Sequence, residues 1–235
     1  MKTLITAMLV VIVAIGCSAM FQSGSTSVES KYTRKDFKAA KDTISNRDSL
    51  LVLCRNYAKN ATGINAVRDV QDSWMELNSK DALAYYKEEY RNNPQSAICT
   101  YLYGRLLPNR LERLKMGRKT IELAPDWSYG YRLALYCYYT HLFLEQGDAE
   151  TIDSLKTTFS GDEELFYKFD AMYKDRWFNG KMMFHYYLYK GDVNGAKEEL
   201  DNAHTWNWSW VKEAEELLRA KTGEYPKSEG DDSNN

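Results

Sequence analysis

Short helical segments cut apart by a few well-placed breakers restrict what this chain can fold into more than any other feature. The 235 residues hold only 13 glycines and 4 prolines, and strand-type alternation is almost absent. In Asp81 to Asn92, Leu83, Tyr86 and Tyr90 recur at i, i+3 and i+7, one face of a helix. Asn92-Asn93-Pro94 stops that segment, because proline disfavours helix at the residue before it. Gln95 to Leu107 follows and ends at Pro108-Asn109, where Asn109 is placed to cap a helix over Arg110 to Leu123. Ala124-Pro125-Asp126 closes that one. The same spacing predicts helices at Ser128–Glu145, Ala149–Thr158, Glu163–Lys174, Trp177–Lys190, Asp192–His204 and Ser209–Ala220. Upstream it predicts Lys35–Thr43, Asp48–Lys59 and Ile64–Leu77. The fold class is therefore all-α.

The stretch from Tyr189 to Ala203 carries the clearest local signal. A helix ends at Lys190, Gly191-Asp192 turns the chain, and a second helix places Ala196, Leu200 and Ala203 on one face. Such a hairpin resembles the turn and second helix of a tetratricopeptide repeat. Ala82, Tyr86 and Pro94, then Ala97, Tyr101 and Gly104, look like a helix B passing into the next helix A of that family. Glu122-Leu123-Ala124-Pro125-Asp126 is similar to the same junction, and Gln146-Gly147-Asp148 to the intra-hairpin turn. The resemblance spans Ile64 to Ala220. Arg113 and Gly117 depart from it, standing where a small residue and an aromatic are expected. It implies a degenerate tetratricopeptide-like array of helical hairpins, an α-solenoid with extra N-terminal helices, whose usual work is binding. A helical bundle without repeats stays open as the alternative.

Both termini read differently. Lys2 precedes an uncharged apolar run from Leu4 to Ile15 that ends in small residues, the layout of a signal peptide over residues 1–16. Ala14-Ile15-Gly16-Cys17 resembles the lipobox of bacterial lipoproteins, with Ala14 where that family usually has leucine. The resemblance implies lipidation of Cys17 and, with Ser18 following it, an outer-membrane lipoprotein facing the periplasm. Ordinary cleavage with secretion, and an uncleaved N-terminal anchor, stay open. Residues 17–33 then form a lipidated cysteine and a Ser/Gly/Thr-rich flexible tether. Residues 34–222 are the helical domain, and 223–235 a disordered polar tail.

Composition excludes several functions. The chain has 31 basic and 33 acidic residues, a net charge of −2; loss of Lys2 with the leader makes it −3. Such balance argues against a general nucleic-acid binder. After Cys17 three cysteines remain, Cys54, Cys99 and Cys137, an odd number in apolar helical surroundings that reads as buried thiols. A Cys99–Cys137 bridge would need neighbouring helices. His141, His185 and His204 have no metal-ligand spacing, and no cofactor motif is present. Glu198-Glu199 and Glu213, Glu215 and Glu216 share helices with lysine and arginine and read as solvated faces. No catalytic constellation emerges, so the chain reads as a non-enzyme.

Two features point to binding. The chain has 18 tyrosines, more than a dry core readily satisfies, since each hydroxyl wants a partner. Trp206-Asn207-Trp208-Ser209-Trp210 adds alternating tryptophans. A local basic run comprises Arg105, Arg110, Arg113, Lys115, Arg118 and Lys119. The residues expected to meet a partner are Tyr101, Arg105, Tyr131, Tyr138, Trp177 and Trp208. The expected function is a scaffold that holds an envelope protein or peptide in an aromatic-lined groove. The alternatives are a module binding a soluble glycan or peptide, and an envelope enzyme without recognisable motifs.

Overall fold

A computed structural model describes residues 32–172 and 177–223. Cys17, the apolar leader and most of the tether and tail lie outside the described residues. Every element among the described residues is helical: α1 (Arg34–Thr43), α2 (Arg47–Asn60), α3 (Ile64–Asn92), α4 (Ala97–Leu106), α5 (Arg110–Leu123), α6 (Ser128–Tyr138), α7 (Ala149–Met172), α8 (Trp177–Lys190), α9 (Val193–Thr205) and α10 (Val211–Thr222). A π-helical turn, Tyr139–Phe143, continues α6. Among the described residues no helix is long and apolar enough to cross a membrane. The chain divides into two compact units between Leu106 and Leu107.

In the first unit α1, α2 and α4 pack on the long α3 around Phe37, Cys54, Val70, Trp74, Ala82, Tyr86 and Tyr101. A capping box opens α1: Thr33 Oγ1 accepts from Asp36 N, and the Asp36 side chain accepts from Thr33 N. Two helices were expected where α3 runs, and the break exists as a kink at Asn78 (φ −157°, ψ 86°). Asn78 Oδ1 accepts from Asp81 N at 3.2 Å, restarting the helix as an N-cap. Asp81 then ties the corner together. Its Oδ2 accepts from Trp74 Nε1 at 3.0 Å and from Arg55 Nη2 at 2.6 Å.

The second unit is built from hairpins. Asn109 caps α5 as expected, accepting from Glu112 N at 3.0 Å. α5 and α6 approach so closely that a Cβ on Gly117 would lie 2.5 Å from Ala134 N. Gly117 is thus required by close approach, which explains its departure from the repeat pattern. Gly191 takes φ +75° between α8 and α9, and Asp192 Oδ1 accepts from Gly195 N at 3.0 Å. Phe184, Leu188, Ala196, Leu200 and Ala203 fill that hairpin, joined by Trp210, Ala214 and Leu218 from the end of the unit.

One expected break is missing. α7 runs unbroken through Ser160, Gly161 and Asp162, where two helices were predicted. Leu155, Phe159, Asp162, Phe166 and Phe169 are all buried. Their spacing of four and three residues makes one continuous stripe, and its burial outweighs the roughly 1 kcal/mol that a mid-helix glycine costs. Cys54, Cys99 and Cys137 form no disulfide among the described residues.

Replacing Gly117 with alanine should destabilise the α5–α6 hairpin by about 1–3 kcal/mol, since the Ala134 backbone cannot yield easily. Urea unfolding measures this. A variant as stable as the parent would mean that α5 and α6 are not held at this separation.

Candidate functional site

Two carboxylates on consecutive residues of α7, Asp162 buried and Glu163 half-buried, organise the second unit. Asp162, 7% exposed, receives Tyr138 Oη at 2.6 Å from α6 and Arg118 Nε at 2.8 Å from α5. Thr158 Oγ1 lies 3.2 Å from the Tyr138 hydroxyl. Burial, followed by the bond to Asp162, holds the Tyr138 proton well above the usual tyrosine range. Both donors converge on the same carboxylate oxygen, Asp162 Oδ2. The arrangement is a three-helix clasp.

Glu163 points the other way. Tyr186 Oη donates to Glu163 Oε1 at 2.6 Å, and Lys190 Nζ lies 3.0 Å from the same oxygen. These bonds keep the Glu163 carboxyl below the usual range. Since Tyr186 donates to Glu163, the 2.8 Å contact with Tyr167 Oη must run from Tyr167 to Tyr186. Around this chain the rings are packed: Phe166 stacks on Tyr186 at 4.9 Å, while Phe143 and Phe159 lie 5.0 and 5.3 Å from Tyr189. Yet Tyr167 is 51% exposed and Tyr189 is 38% exposed. Two tyrosines of one packed cluster therefore show a large part of their surface to solvent while their rings pack against neighbouring aromatics.

A further exposed aromatic lies in the turn between α9 and α10. Trp206 is 68% exposed, whereas Trp210 is 3% exposed. Trp208 packs over Gly180, where a Cβ would come 2.6 Å from its ring. Asn207 reverses the chain at φ 51°.

The three histidines occupy unrelated environments. His204 Nε2 lies 2.9 Å from Glu215 at the surface. His185 is 5% exposed, between the rings of Tyr139 and Phe184 at 5.4 Å each, beside the Lys181–Glu213 pair. Burial, then the Lys181 charge, lowers its pKa from 6.5 to about 4. His141 sits in the π-turn with Nδ1 against the Gln146 carbonyl. Among the described residues no group of three or more His, Cys, Asp or Glu side chains could hold a metal ion.

The residues expected to meet a partner are mostly placed elsewhere. Tyr101, Tyr131 and Tyr138 are 2%, 3% and 0% exposed, so they fill the two cores and cannot serve as surface anchors. Arg105 lies over the Tyr101 ring at 5.9 Å and donates to Gln71 Oε1 at 2.6 Å and Asp72 Oδ1 at 2.8 Å. It is a bracing residue of the first unit. Trp208 is half-buried filler. Trp177 opens α8, and its side chain lies outside the described residues. The basic run also divides, since Arg118 is committed to Asp162 and Arg113 Nη2 donates to the Leu107 carbonyl at 2.7 Å. Tyr167 and Tyr189 were missed. The signal for Tyr167 was its place one residue outside the Leu155–Phe169 stripe.

No protein family, curated protein or solved structure matches this chain.

Two measurements test this site. Removing the Asp162 carboxylate (Asp162→Ala) should destabilise by about 2–4 kcal/mol, because it strands Tyr138 and Arg118; urea titration reads the loss. For His185, the unfolded chain binds a proton between pH 6.5 and about 4 that the folded chain refuses. Its contribution is fully present above pH 6.5 and falls by up to about 3 kcal/mol as pH drops toward 4. Urea midpoints across that range should show the slope, and His185→Gln should flatten it.

Proposed function

We propose that this chain is a non-catalytic scaffold of tetratricopeptide-like hairpins that holds a polypeptide partner in the bacterial envelope. The observation that carries the reading is the pair of tyrosines, Tyr167 and Tyr189, displayed on a packed aromatic cluster. Rigid tyrosines supply contact area with little rotamer entropy to lose, which suits them to be interface anchors. The Glu163–Lys190 pair beside them offers polar contacts at the rim. Trp206 is a further exposed aromatic of the same unit. Hairpins stacked on short turns, such as Lys190-Gly191-Asp192, favour the repeat reading. The leader and Cys17 favour export and lipid attachment, with the tether of residues 17–33 letting the domain search near the outer membrane.

A photo-crosslinking residue placed at Tyr167 or Tyr189 of the full chain in cells should capture the same polypeptide, and one at exposed Lys115 should not. Replacing both tyrosines by alanine should weaken that capture at least tenfold, about 1.4 kcal/mol or more, while thermal unfolding stays cooperative. Equal capture from all three positions would overturn the surface. Separately, Cys17→Ala should move the protein from the membrane to the soluble envelope fraction. Unchanged partitioning would exclude the lipid anchor.

A further inference from the structure

The α5–α6 hairpin carries, at its Asn109 end, a group of polar residues that neither the core nor the tyrosine surface uses. Close contacts define the register there. A Cβ on Gly117 would lie 2.5 Å from Ala134 N, and one on Gly130 would lie 3.1 Å from Ile121 N. Both pairings share one antiparallel offset. Carried toward Asn109, that offset sets Leu114 against Cys137, which belong to one core cluster. Beyond Cys137 the chain enters the π-helical turn that holds His141, at the same end of the hairpin as Arg110 and Arg113 in the first turn of α5.

His141 is 9% exposed, and its two ring nitrogens differ. Nδ1 faces the Gln146 carbonyl, which can only accept, so Nδ1 carries the proton. Nε2 is then a bare acceptor, buried and without a hydrogen-bond partner among the described residues. A Cβ on Gly147 would come 2.9 Å from Nδ1, so the Gln146-Gly147 loop closes that edge of the ring. Nε2 lies on the opposite side of the ring, away from that loop. Consistently, after burial, the charges of Arg110 and Arg113 bear on both His141 and the Cys137 thiol.

The α5 side is cationic. Arg113 Nη2 is anchored on the Leu107 carbonyl at 2.7 Å. Arg110 is half-buried and makes no hydrogen bond or ion pair among the described residues. The Asn109 side chain caps Glu112 N, and the first amides of α5 add the positive end of the helix dipole. Asp148 is the acidic group that bears on His141. Its two oxygens accept from Thr151 N and Thr151 Oγ1, each at 2.8 Å.

An unmet acceptor lone pair at the same end of the hairpin as two guanidinium groups calls for a ligand that is an anion and still carries a hydroxyl. We infer that this end of the hairpin binds a protonated phosphate, as hydrogen phosphate or a singly protonated phosphomonoester. Its P–OH donates to His141 Nε2 while its charged oxygens accept from Arg110 and Arg113. Sulfate has the same shape and charge near neutral pH but no proton to give, so the site discriminates against it.

The chain has three histidines, which makes imidazole nitrogen NMR of the full-length protein a direct readout. Inorganic phosphate should shift the His141 Nε2 resonance saturably and leave His185 and His204 in place. Sulfate should bind at least about tenfold more weakly, the loss expected for one hydrogen bond to a charged ligand. Arg110→Gln, a change at a partly exposed position, should weaken phosphate about tenfold with an unchanged melting temperature. An unshifted His141, equal affinity for sulfate, or an Arg110→Gln variant that binds as the parent does would each overturn the site. Vesicles separate the two sources. Retention on phosphatidic acid but not phosphatidylglycerol assigns a monoester headgroup, and binding of inorganic phosphate alone assigns the soluble ion.

Discussion

A carboxylate buried in the middle of a helix has to be answered by partners from other helices, and in the second unit Asp162 is that carboxylate. Taking it out of water costs several kcal/mol unless the charge is paired and its oxygens are hydrogen-bonded. Arg118 and Tyr138 supply both requirements, one from α5 and one from α6. The three helices are thereby set in relative rotation as well as separation. Apolar residues alone would tolerate sliding, since their contacts have no direction. With Asp162 pinned, Phe159, Phe166 and Phe169 of α7 have one face available, and Glu163 is turned toward α8.

The first unit meets the same constraint by a different route. Asp81 stands just past the Asn78 kink and collects Trp74 from before the bend and Arg55 from α2. In both units an aspartate converts an irregular place in a long helix into a defined one. At the Asn78 kink the irregularity is a change of direction. Near Asp162 it is a glycine that the helix simply runs through.

Helix boundaries were legible where the cause is local. Asn109 caps α5 and Asp192 caps α9 because a side chain reaches an amide three residues on, and the intervening sequence is all that this requires. The α8–α9 turn was legible for the same reason. The continuity of α7 was not, because Asp162 lies among polar residues that look like a loop until Arg118, 44 residues away, is brought to it. Exposure was the hardest property to read. Tyr131, Tyr138, Tyr167 and Tyr189 are chemically alike, yet the first two are buried and the last two displayed. What separates them is which helix covers which face, a matter of long-range packing. The expected anchors accordingly fell on core tyrosines, and the residues now proposed for contact were passed over.

The clasp also shapes how this sequence can drift. Losing Asp162 first strands a guanidinium and a buried hydroxyl, and losing Arg118 first strands a buried carboxylate. The three positions therefore change safely only in company, and a lineage carrying Arg118, Tyr138 and Asp162 should keep them as a set long after its surface has been rewritten. Distant relatives of this chain are better sought through such a triplet, spaced 20 and 24 residues apart across α5, α6 and α7, than through the repeat signature its turns only partly retain.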